Sequence, residues 1–378
     1  MLFLLWYTLS EVIDMSNDIA KIDKNLAVAG IDAPGCVFHD VRKAPFEIYG
    51  LYKPQEGDTF RRIPKEVAEA TSEGVAILHT NTAGGRVRFS TDSEYIAIRC
   101  TMPNITHFAH MPATGVSGFD MYVARGDNEI FKKTFVPPWN LTDGYAAIFH
   151  FGNREMREIT INFPLYNDVD SLFVGLEPSA TLGKGKKYKY EKPVVYYGSS
   201  ITQGGCASRP GNSYEAFISQ KLSCDYINLG FSGNAKGEDT IMDYIAGLDM
   251  SVFVYDYDYN APSVEHLEAT HERGFLKIRE KNPDLPVILV SAPNDDIYAT
   301  DPRLELRSTY TLRRTVIFNT YENAIRRGDK NVFFVDGCGL FNGEFPNSCT
   351  VDGCHPNDLG FFRMAEAIGR VVEYALNL

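Results

Sequence analysis

The second half of the chain alternates short apolar runs with longer helical patterns, and this alternation constrains the fold more than any other feature of the sequence. Strands are predicted at Val194 to Tyr197, Tyr226 to Leu229, Ser251 to Tyr255, Val287 to Val290 and Val332 to Val335. Helices are predicted at about Asn212 to Leu222, Thr240 to Ile245, Val264 to Lys281, Arg303 to Arg327 and Leu359 to Leu376. Such alternation is typical of right-handed βαβ crossovers. We therefore expect a doubly wound, flavodoxin-like α/β domain with a parallel sheet covered on both faces.

The first half has a different periodicity. Between Val75 and Glu177 short runs alternate apolar and polar residues, turn clusters such as Gly84-Gly85 separate them, and no convincing helix intervenes. Strands are predicted at Phe46 to Tyr52, Val87 to Phe89, Tyr95 to Cys100, Phe119 to Val123, Phe131 to Phe135, Ala146 to Phe151, Glu158 to Phe163 and Ser171 to Leu176. Period-two patterning with close turn signals predicts an antiparallel, jelly-roll-like β-sandwich.

Two domains are expected, because 378 residues exceed the roughly 100–200 residues of a typical domain. We predict an N-terminal extension over residues 1–30, a β-sandwich domain over 31–180, a linker over 181–191 and the α/β domain over 192–378. The linker is rich in Gly and Lys. Its basic run favours a solvated connector over a nucleic-acid site, since the chain as a whole is acidic.

The charge distribution and the amino-terminal sequence limit which partners and which location are expected. The formal net charge is −12 and the basic residues are scattered, which argues against nucleic acid and anionic membranes as partners. The apolar stretch from Met1 to Tyr7 lacks a preceding basic residue and a small-residue cleavage site, and it is too short to span a membrane. We expect a cytoplasmic protein, with Met15 as an alternative start and a homo-oligomer left open. Seven thinly spread cysteines are expected to stay reduced.

A turn of small residues, Gly198-Ser199-Ser200-Ile201-Thr202, follows the first predicted strand of the α/β domain. In open α/β sheets this carboxyl edge is where ligands bind, because loops converge there and helix N-termini offer unpaired N–H groups. Ser200 is therefore a candidate nucleophile. On this stretch alone, an ordinary strand-to-helix turn is an equal alternative.

Three further stretches fall on the same edge. Gly233, in the loop after the second strand, would let a backbone N–H approach a substrate oxygen, and Asn260, after the third strand, would add an amide donor. His355 lies between the last strand and the last helix, three residues after Asp352, and this pair would supply a base and the group that orients it. Each residue alone has a structural explanation. Their joint presence favours a catalytic site.

The four stretches resemble the blocks of the SGNH/GDSL hydrolase superfamily, in the same order and at similar spacing: Gly198 to Thr202, Gly230 to Asn234, Asn260 and Asp352 to Pro356. Two positions depart from the family pattern. The family usually has an acidic residue directly before the nucleophile, where this chain has Ser199. The family also has a glycine-any-Asn-Asp block, where this chain has Asp258-Tyr259-Asn260-Ala261. Neither departure removes an assigned group, although both leave substrate preference open.

The resemblance implies a Ser-His-Asp esterase. Ser200 would be the nucleophile, His355 the base and Asp352 its partner, with the N–H groups of Ser200 and Gly233 and the amide of Asn260 as oxyanion donors. Upstream, Gly118-Phe119-Asp120-Met121-Tyr122 and His79 to Arg86 resemble the GxDLY-type sandwich domain that precedes some of these hydrolases. The resemblance implies small acyl esters, O-acetyl groups on carbohydrate above all. A lipid or lysophospholipid acylhydrolase and a carbohydrate-binding protein with an inactive hydrolase fold remain alternatives.

Cofactor and substrate signals are weaker. No cofactor and no metal are expected, since no phosphate-binding loop occurs and Asp256 to Asn260 only superficially resembles a calcium loop. A zinc site of Cys338, Cys349, Cys354 and His355 lacks the paired cysteine spacing, and Cys349 and Cys354 would form a disulfide only under oxidising conditions. Tyr259 and Trp139 are candidates for stacking on a sugar ring, with core packing or loop anchoring as the alternative.

Overall fold

The computed structural model of the chain describes residues 33, 35–126, 128–293 and 304–378. The predicted N-terminal extension and both candidate start residues, Met1 and Met15, lie outside the described residues. None of the described helices is long and apolar enough to cross a lipid bilayer.

Two antiparallel sheets make up the first half, as the period-two pattern predicts. The first sheet has the order β1-β9-β4-β7, and the second has the order β10-β3-β8-β5-β6 with β2 also paired to β3. The strands are β1 (Val37–Asp40), β2 (Glu47–Tyr49), β3 (Arg86–Thr91), β4 (Tyr95–Thr101), β5 (Phe119–Arg125), β6 (Asn128–Phe135), β7 (Gly144–His150), β8 (Arg157–Asn162), β9 (Ser171–Leu176) and β10 (Leu182–Lys184).

The core of the sandwich lies between these sheets. Alternate residues of each strand face inward, since successive side chains of a strand point to opposite faces. Fully buried examples come from both sheets: Val87, Phe89, Ile96, Ile98, Met121, Ile161 and Val174. The alternation seen in the sequence therefore marks the residues that hold the two sheets together, and the predicted sandwich is confirmed.

Several short elements of the first half were not predicted. The expectation of no helix between Val75 and Glu177 is wrong, because α2 (Glu73–Leu78) and α3 (Ala113–Val116) reach into this range. A further helix, α1 (Lys65–Thr71), precedes it. These helices span two turns or fewer and so show little periodicity. Part of the segment predicted as a linker forms β10, which pairs with β3. The domain boundaries themselves stay a prediction.

The second half contains the predicted parallel sheet, in the order β12-β11-β13-β14-β15. The strands are β11 (Tyr190–Gly198), β12 (Cys224–Gly230), β13 (Val252–Asp256), β14 (Val287–Val290) and β15 (Val332–Val335). The helices are α4 (Ser200–Gln203), α5 (Tyr214–Leu222), α6 (Asp239–Ala246), α7 (Val264–Lys281), α8 (Leu304–Arg326) and α9 (Asp358–Ala375). The order is the flavodoxin-like one, and its switch point lies between β11 and β13.

Helices cover both faces of this sheet. Along β11, Val194 and Tyr196 pack into the cluster formed with α5 and α9, whereas Val195 and Tyr197 pack into the cluster formed with α6, α7 and α8. All four side chains are at most 1% exposed. A strand buried on both faces explains why the sequence shows a continuous apolar run here instead of alternation.

Buried arginines join the two halves. Arg62 donates to the carbonyl oxygens of Asn228 (3.2 Å) and Gly230 (2.6 Å) at the end of β12. Arg86 donates to the carboxylate of Asp225 and to the carbonyl oxygen of Tyr226 at the start of that strand. Since a buried guanidinium group is costly unless it is hydrogen-bonded, these contacts hold the sandwich against the edge of the parallel sheet.

We expect Arg86→Met to lower the free energy of unfolding by about 3–5 kcal/mol, because it leaves the Asp225 carboxylate buried without its partner. Chemical denaturation measures the loss. Lys187→Ala is the matched control: it removes an exposed ion pair with Glu191 (2.8 Å) and should cost less than about 1 kcal/mol. Equal costs for the two variants would contradict the role of Arg86.

Candidate active site

Ser200 is presented by a tight turn at the end of β11. Ser200 is the first residue of α4, and the Ser199 side chain caps this helix by accepting a hydrogen bond from the Ile201 N–H (3.1 Å). A side chain at Gly198 would overlap Thr202 and the Asp256 carbonyl. Glycine is therefore required for the close approach of strand and helix. As the first helical residue, Ser200 has a backbone N–H that the helix itself does not use.

A chain of two hydrogen bonds runs from Ser200 through His355 to Asp352. Ser200 Oγ lies 2.9 Å from His355 Nε2. On the other side of the ring, His355 Nδ1 lies 2.7 Å from Asp352 Oδ2. The structure thus brings together three predicted residues, two of which are separated by 155 positions in the sequence.

A local turn brings Asp352 and His355, which are three positions apart, within hydrogen-bonding distance of each other. Asp352 Oδ1 accepts hydrogen bonds from the N–H groups of Cys354 (3.0 Å) and His355 (2.7 Å), and Gly353 supplies the left-handed backbone (φ +86°) that the turn needs. Burial opposes ionisation of Asp352, but the hydrogen bonds from His355 and Cys354 outweigh it and lower the pKa of this carboxyl to about 2. Asp352 is therefore a carboxylate at neutral pH.

The loops that carry the other predicted donors are tied to the same edge. The Phe231 N–H donates to the Gly198 carbonyl (2.9 Å), and Asn260 Nδ2 donates to the Phe231 carbonyl (3.0 Å). Gly233 has a left-handed backbone (φ +69°) with open space where a side chain would begin. Gly233 and Asn260 thus lie on loops fastened to the end of the strand that carries Ser200.

Residues of the sandwich that sequence reasoning missed also reach this edge. The Tyr166 hydroxyl donates to the Ser200 carbonyl (3.2 Å), and Phe108 packs edge-on against the Tyr166 ring, with ring centroids 5.0 Å apart. The His110 ring lies 5.6 Å from the His355 ring. No sequence signal marks these residues, because they lie in irregular loops after β4 and β8 whose course depends on tertiary packing.

A groove of about 570 Å³ lies beside Tyr166. Its lining includes Asp168, whose two carboxylate oxygens accept hydrogen bonds from Asn81 (2.9 Å) and Asn104 (3.0 Å). Arg61 and Lys65 line the same groove. Asn81 in turn accepts a hydrogen bond from Gln203 (3.1 Å), in the helix that begins at Ser200, so the groove adjoins the nucleophile turn.

The two predicted sugar-stacking residues have different surroundings. Trp139 is 89% exposed, so core packing does not explain it, and it lines a small cavity together with Phe108 and Met111. Tyr259 is half-buried against the core, its hydroxyl lying 3.5 Å from the Pro293 carbonyl. The stacking role of both residues remains a prediction.

Residues of the alternative calcium and zinc sites lie in the described part of the structure. Asp258 is buried and accepts a hydrogen bond from the Ala292 N–H (2.9 Å), and burial raises its pKa to about 6. Asp256 is buried next to it, 3.4 Å from the Thr202 hydroxyl, and burial raises its pKa as well. Both carboxyls of the calcium-loop-like stretch thus face the protein core. Of the cysteines considered as zinc ligands, Cys349 and Cys354 are free thiols and are not joined by a disulfide.

Comparisons with known proteins identify the family of each half of the chain. Residues 191–373 match the model of the GDSL-like lipase/acylhydrolase family, and residues 36–182 match the GxDLY model, which describes the N-terminus of SGNH-hydrolase-type esterases. No curated protein matches in a sequence search.

Solved structures share the two-part architecture over nearly their whole length. A candidate GDSL-like lipase from Bacteroides ovatus is 26% identical, with a TM-score of 0.81 and coverage of 90% of this chain and 98% of its own. The salicylyl-acyltransferase SsfX3 from a tetracycline biosynthetic pathway is 20% identical, with a TM-score of 0.73 and the same coverage. A family two carbohydrate esterase from Clostridium thermocellum is 12% identical, with a TM-score of 0.61 and coverage of 89% and 99%.

The two family models meet near the join between the sandwich and the parallel sheet, and together they take in almost all of the described residues. The chain is a carboxylic ester hydrolase with a GDSL-like lipase/acylhydrolase domain over residues 191–373 and a GxDLY-type N-terminal domain over residues 36–182.

Proposed function

We propose that the protein is a serine esterase that uses Ser200, His355 and Asp352 to hydrolyse small acyl esters, O-acetyl groups on carbohydrate above all. The observation that carries this proposal is the continuous hydrogen-bond chain from Ser200 Oγ to the Asp352 carboxylate. In this arrangement the carboxylate holds the imidazole with Nδ1 protonated, so Nε2 is free to take the hydroxyl proton.

The reaction has two halves. In the first, His355 takes the proton of Ser200 as its oxygen attacks the ester carbonyl, and then protonates the departing alcohol. In the second, His355 takes a proton from water, which attacks the acyl-enzyme and releases the acid. The positive charge on the imidazole in each half is stabilised by Asp352, which stays ionised because its pKa is about 2.

The oxyanion of each tetrahedral intermediate would be stabilised by the N–H groups of Ser200 and Gly233 and by the side-chain amide of Asn260. Support comes from the position of Ser200 at a helix start and from the open space beside Gly233. Fixed donors of this kind lower the barrier because they need no reorganisation as charge develops.

Two observations support an acylated carbohydrate as substrate. The groove beside Tyr166 is lined by amide, hydroxyl and charged side chains, including Arg61, Asn104 and Asp168, which suit a hydroxyl-rich alcohol. Trp139, on the same side of the molecule as Phe108, exposes an aromatic face of the kind that stacks on sugar rings. Structural neighbours include an acetyl xylan esterase from Butyrivibrio proteoclasticus.

A lipid acylhydrolase is the weaker alternative, because a long acyl chain would need an apolar channel, whereas the groove beside Tyr166 is lined by charged side chains such as Arg61, Lys65 and Asp168. Transfer of the acyl group to an alcohol instead of water is a second alternative, since one neighbour is a salicylyl-acyltransferase. Measuring released acid against newly formed ester distinguishes hydrolysis from transfer.

Ser200→Ala is expected to lower kcat for p-nitrophenyl acetate by at least ~10⁴-fold, because no other group replaces the nucleophile. The thermal unfolding midpoint should stay near that of the wild type, since the turn is held by Ser199 and Gly198 and not by the Ser200 hydroxyl. Near-normal hydrolysis by a folded Ser200→Ala protein would remove Ser200 from its proposed role.

Asn260→Ala is expected to lower kcat by about 10²–10³-fold with a smaller change in KM, because the lost donor acts on the oxyanion and not on the bound ester. Steady-state kinetics with p-nitrophenyl acetate measures both constants. Unfolding by heat checks that loss of the contact to the Phe231 carbonyl leaves the fold intact. A folded variant with unchanged kcat would exclude Asn260 from the oxyanion hole.

Asn104→Ala is expected to raise KM for an acetylated oligosaccharide by about fivefold, which corresponds to one hydrogen bond of ~1 kcal/mol. The constants for p-nitrophenyl acetate should not change, because its small leaving group does not fill the groove. Asn377→Ala, at an exposed asparagine that contacts Tyr190, is the matched control. Equal effects of Asn104→Ala on both esters would contradict a sugar subsite in the groove.

A further inference from the structure

Three side chains with metal-ligating atoms lie close together at the nucleophile turn. They are His110, Cys206 and His355, and one ligand atom from each lies within 4.8 Å of the other two. Because His355 Nδ1 is occupied by Asp352, the nitrogen that remains for a ligand is Nε2. This is the same atom that accepts the proton of Ser200.

The backbone holds Cys206 in an unusual conformation to place it there. Cys206 has a left-handed φ of +77°, which is uncommon for a residue with a side chain. The preceding Gly205 is packed so closely that a side chain on it would meet the Ser200 carbonyl (2.9 Å), the Tyr166 hydroxyl (2.9 Å) and the His355 ring (3.3 Å). The turn is therefore pressed against the catalytic histidine, and the thiol of Cys206 follows directly after it.

His110 comes from the other half of the molecule. It is exposed, and its ring lies 5.6 Å from the His355 ring at an interplanar angle of 54°. The adjoining Phe108 packs on Tyr166, which itself bonds to the Ser200 carbonyl. The loop that carries His110 is thus anchored at the site, while the imidazole remains accessible to solvent.

Two imidazoles and one thiol form a ligand set that suits Zn²⁺. Zinc binds histidine nitrogen at about 2.0–2.1 Å and cysteine sulfur at about 2.3 Å in tetrahedral geometry, which places the ligand atoms about 3.3–3.6 Å apart. The observed limit of 4.8 Å requires inward shifts of up to about 1.5 Å, part of which the exposed His110 side chain can supply through a rotamer change.

We propose that His110, Cys206 and His355 form an inhibitory site for Zn²⁺. Binding releases the thiol proton of Cys206 to solvent, forms one Zn–S and two Zn–N bonds, and changes no oxidation state. The lone pair of His355 Nε2 then belongs to the metal and not to the Ser200 proton, so metal binding and ester hydrolysis exclude each other. The inhibitory effect rests on the proposed function, whereas the binding itself does not.

The test separates binding from activity. Calorimetry with ZnCl₂ is performed on Ser200→Ala protein, which keeps all three ligands, and on the same protein with His110→Ala, Cys206→Ser or Cys206→Ala added. We expect one zinc per chain, with affinity at least about 10-fold weaker after loss of either ligand. With Co²⁺ as the probe, a thiolate-to-metal absorption band should appear and should vanish in both Cys206 variants.

Inhibition is measured on the catalytically active protein, with each variant compared with its own rate without metal. Zn²⁺ should inhibit the wild type reversibly, chelator should restore activity, and His110→Ala and Cys206→Ser should each need at least about 10-fold more zinc. His107→Ala is the matched control, an exposed histidine on the same loop, and should leave inhibition unchanged.

Three results would overturn the proposal. These are no zinc binding by the wild-type ligand set, equal affinity in the His110 and Cys206 variants, and binding that leaves hydrolysis unaffected. Failure of the esterase proposal would instead appear as absence of hydrolysis without any metal, while the calorimetric result on Ser200→Ala protein would still stand or fall by itself.

Discussion

The hydrogen bond between Ser200 Oγ and His355 Nε2, 2.9 Å long, is the contact on which the proposed mechanism depends. It exists because parallel strands all end at one edge of the sheet, so loops distant in the sequence converge there. β11 is next to both β12 and β13, which places Ser200 between the loops that carry Gly233 and Asn260. The strand order thus brings the loops together, and the local turns set the directions of their side chains.

The sandwich contributes to the site as well as to stability. Arg62 and Arg86 bury their guanidinium groups against both ends of β12, which fixes the sandwich relative to the catalytic edge. This anchorage brings Tyr166 under Ser200 and His110 next to His355. A groove lined by residues of the first half then continues from the nucleophile turn. The α/β domain therefore supplies Ser200, His355 and Asp352, the groups proposed to react, and the sandwich shapes the space around them.

Sequence reasoning predicted what short-range physics determines. The helix Val264–Lys281 was predicted with its observed bounds because Ser263 caps it and its pattern runs for five turns. The pair Asp352 and His355 was predictable because a local turn joins them. By contrast, β10 gave no signal, since its pairing depends on β3 and not on its own residues. Tyr166, Phe108 and His110 were missed because only tertiary packing decides which sandwich loop reaches the site.

In the proposed mechanism the Ser200 oxygen, activated by His355, is the atom that becomes acylated. Peptide mapping by mass spectrometry tests this after reaction of the wild-type protein with a fluorophosphonate, which traps an activated serine hydroxyl. We expect one adduct per chain, on the peptide that contains Ser200, and none after His355→Ala. An adduct on another residue, or equal labelling of Ser200 without His355, would contradict it.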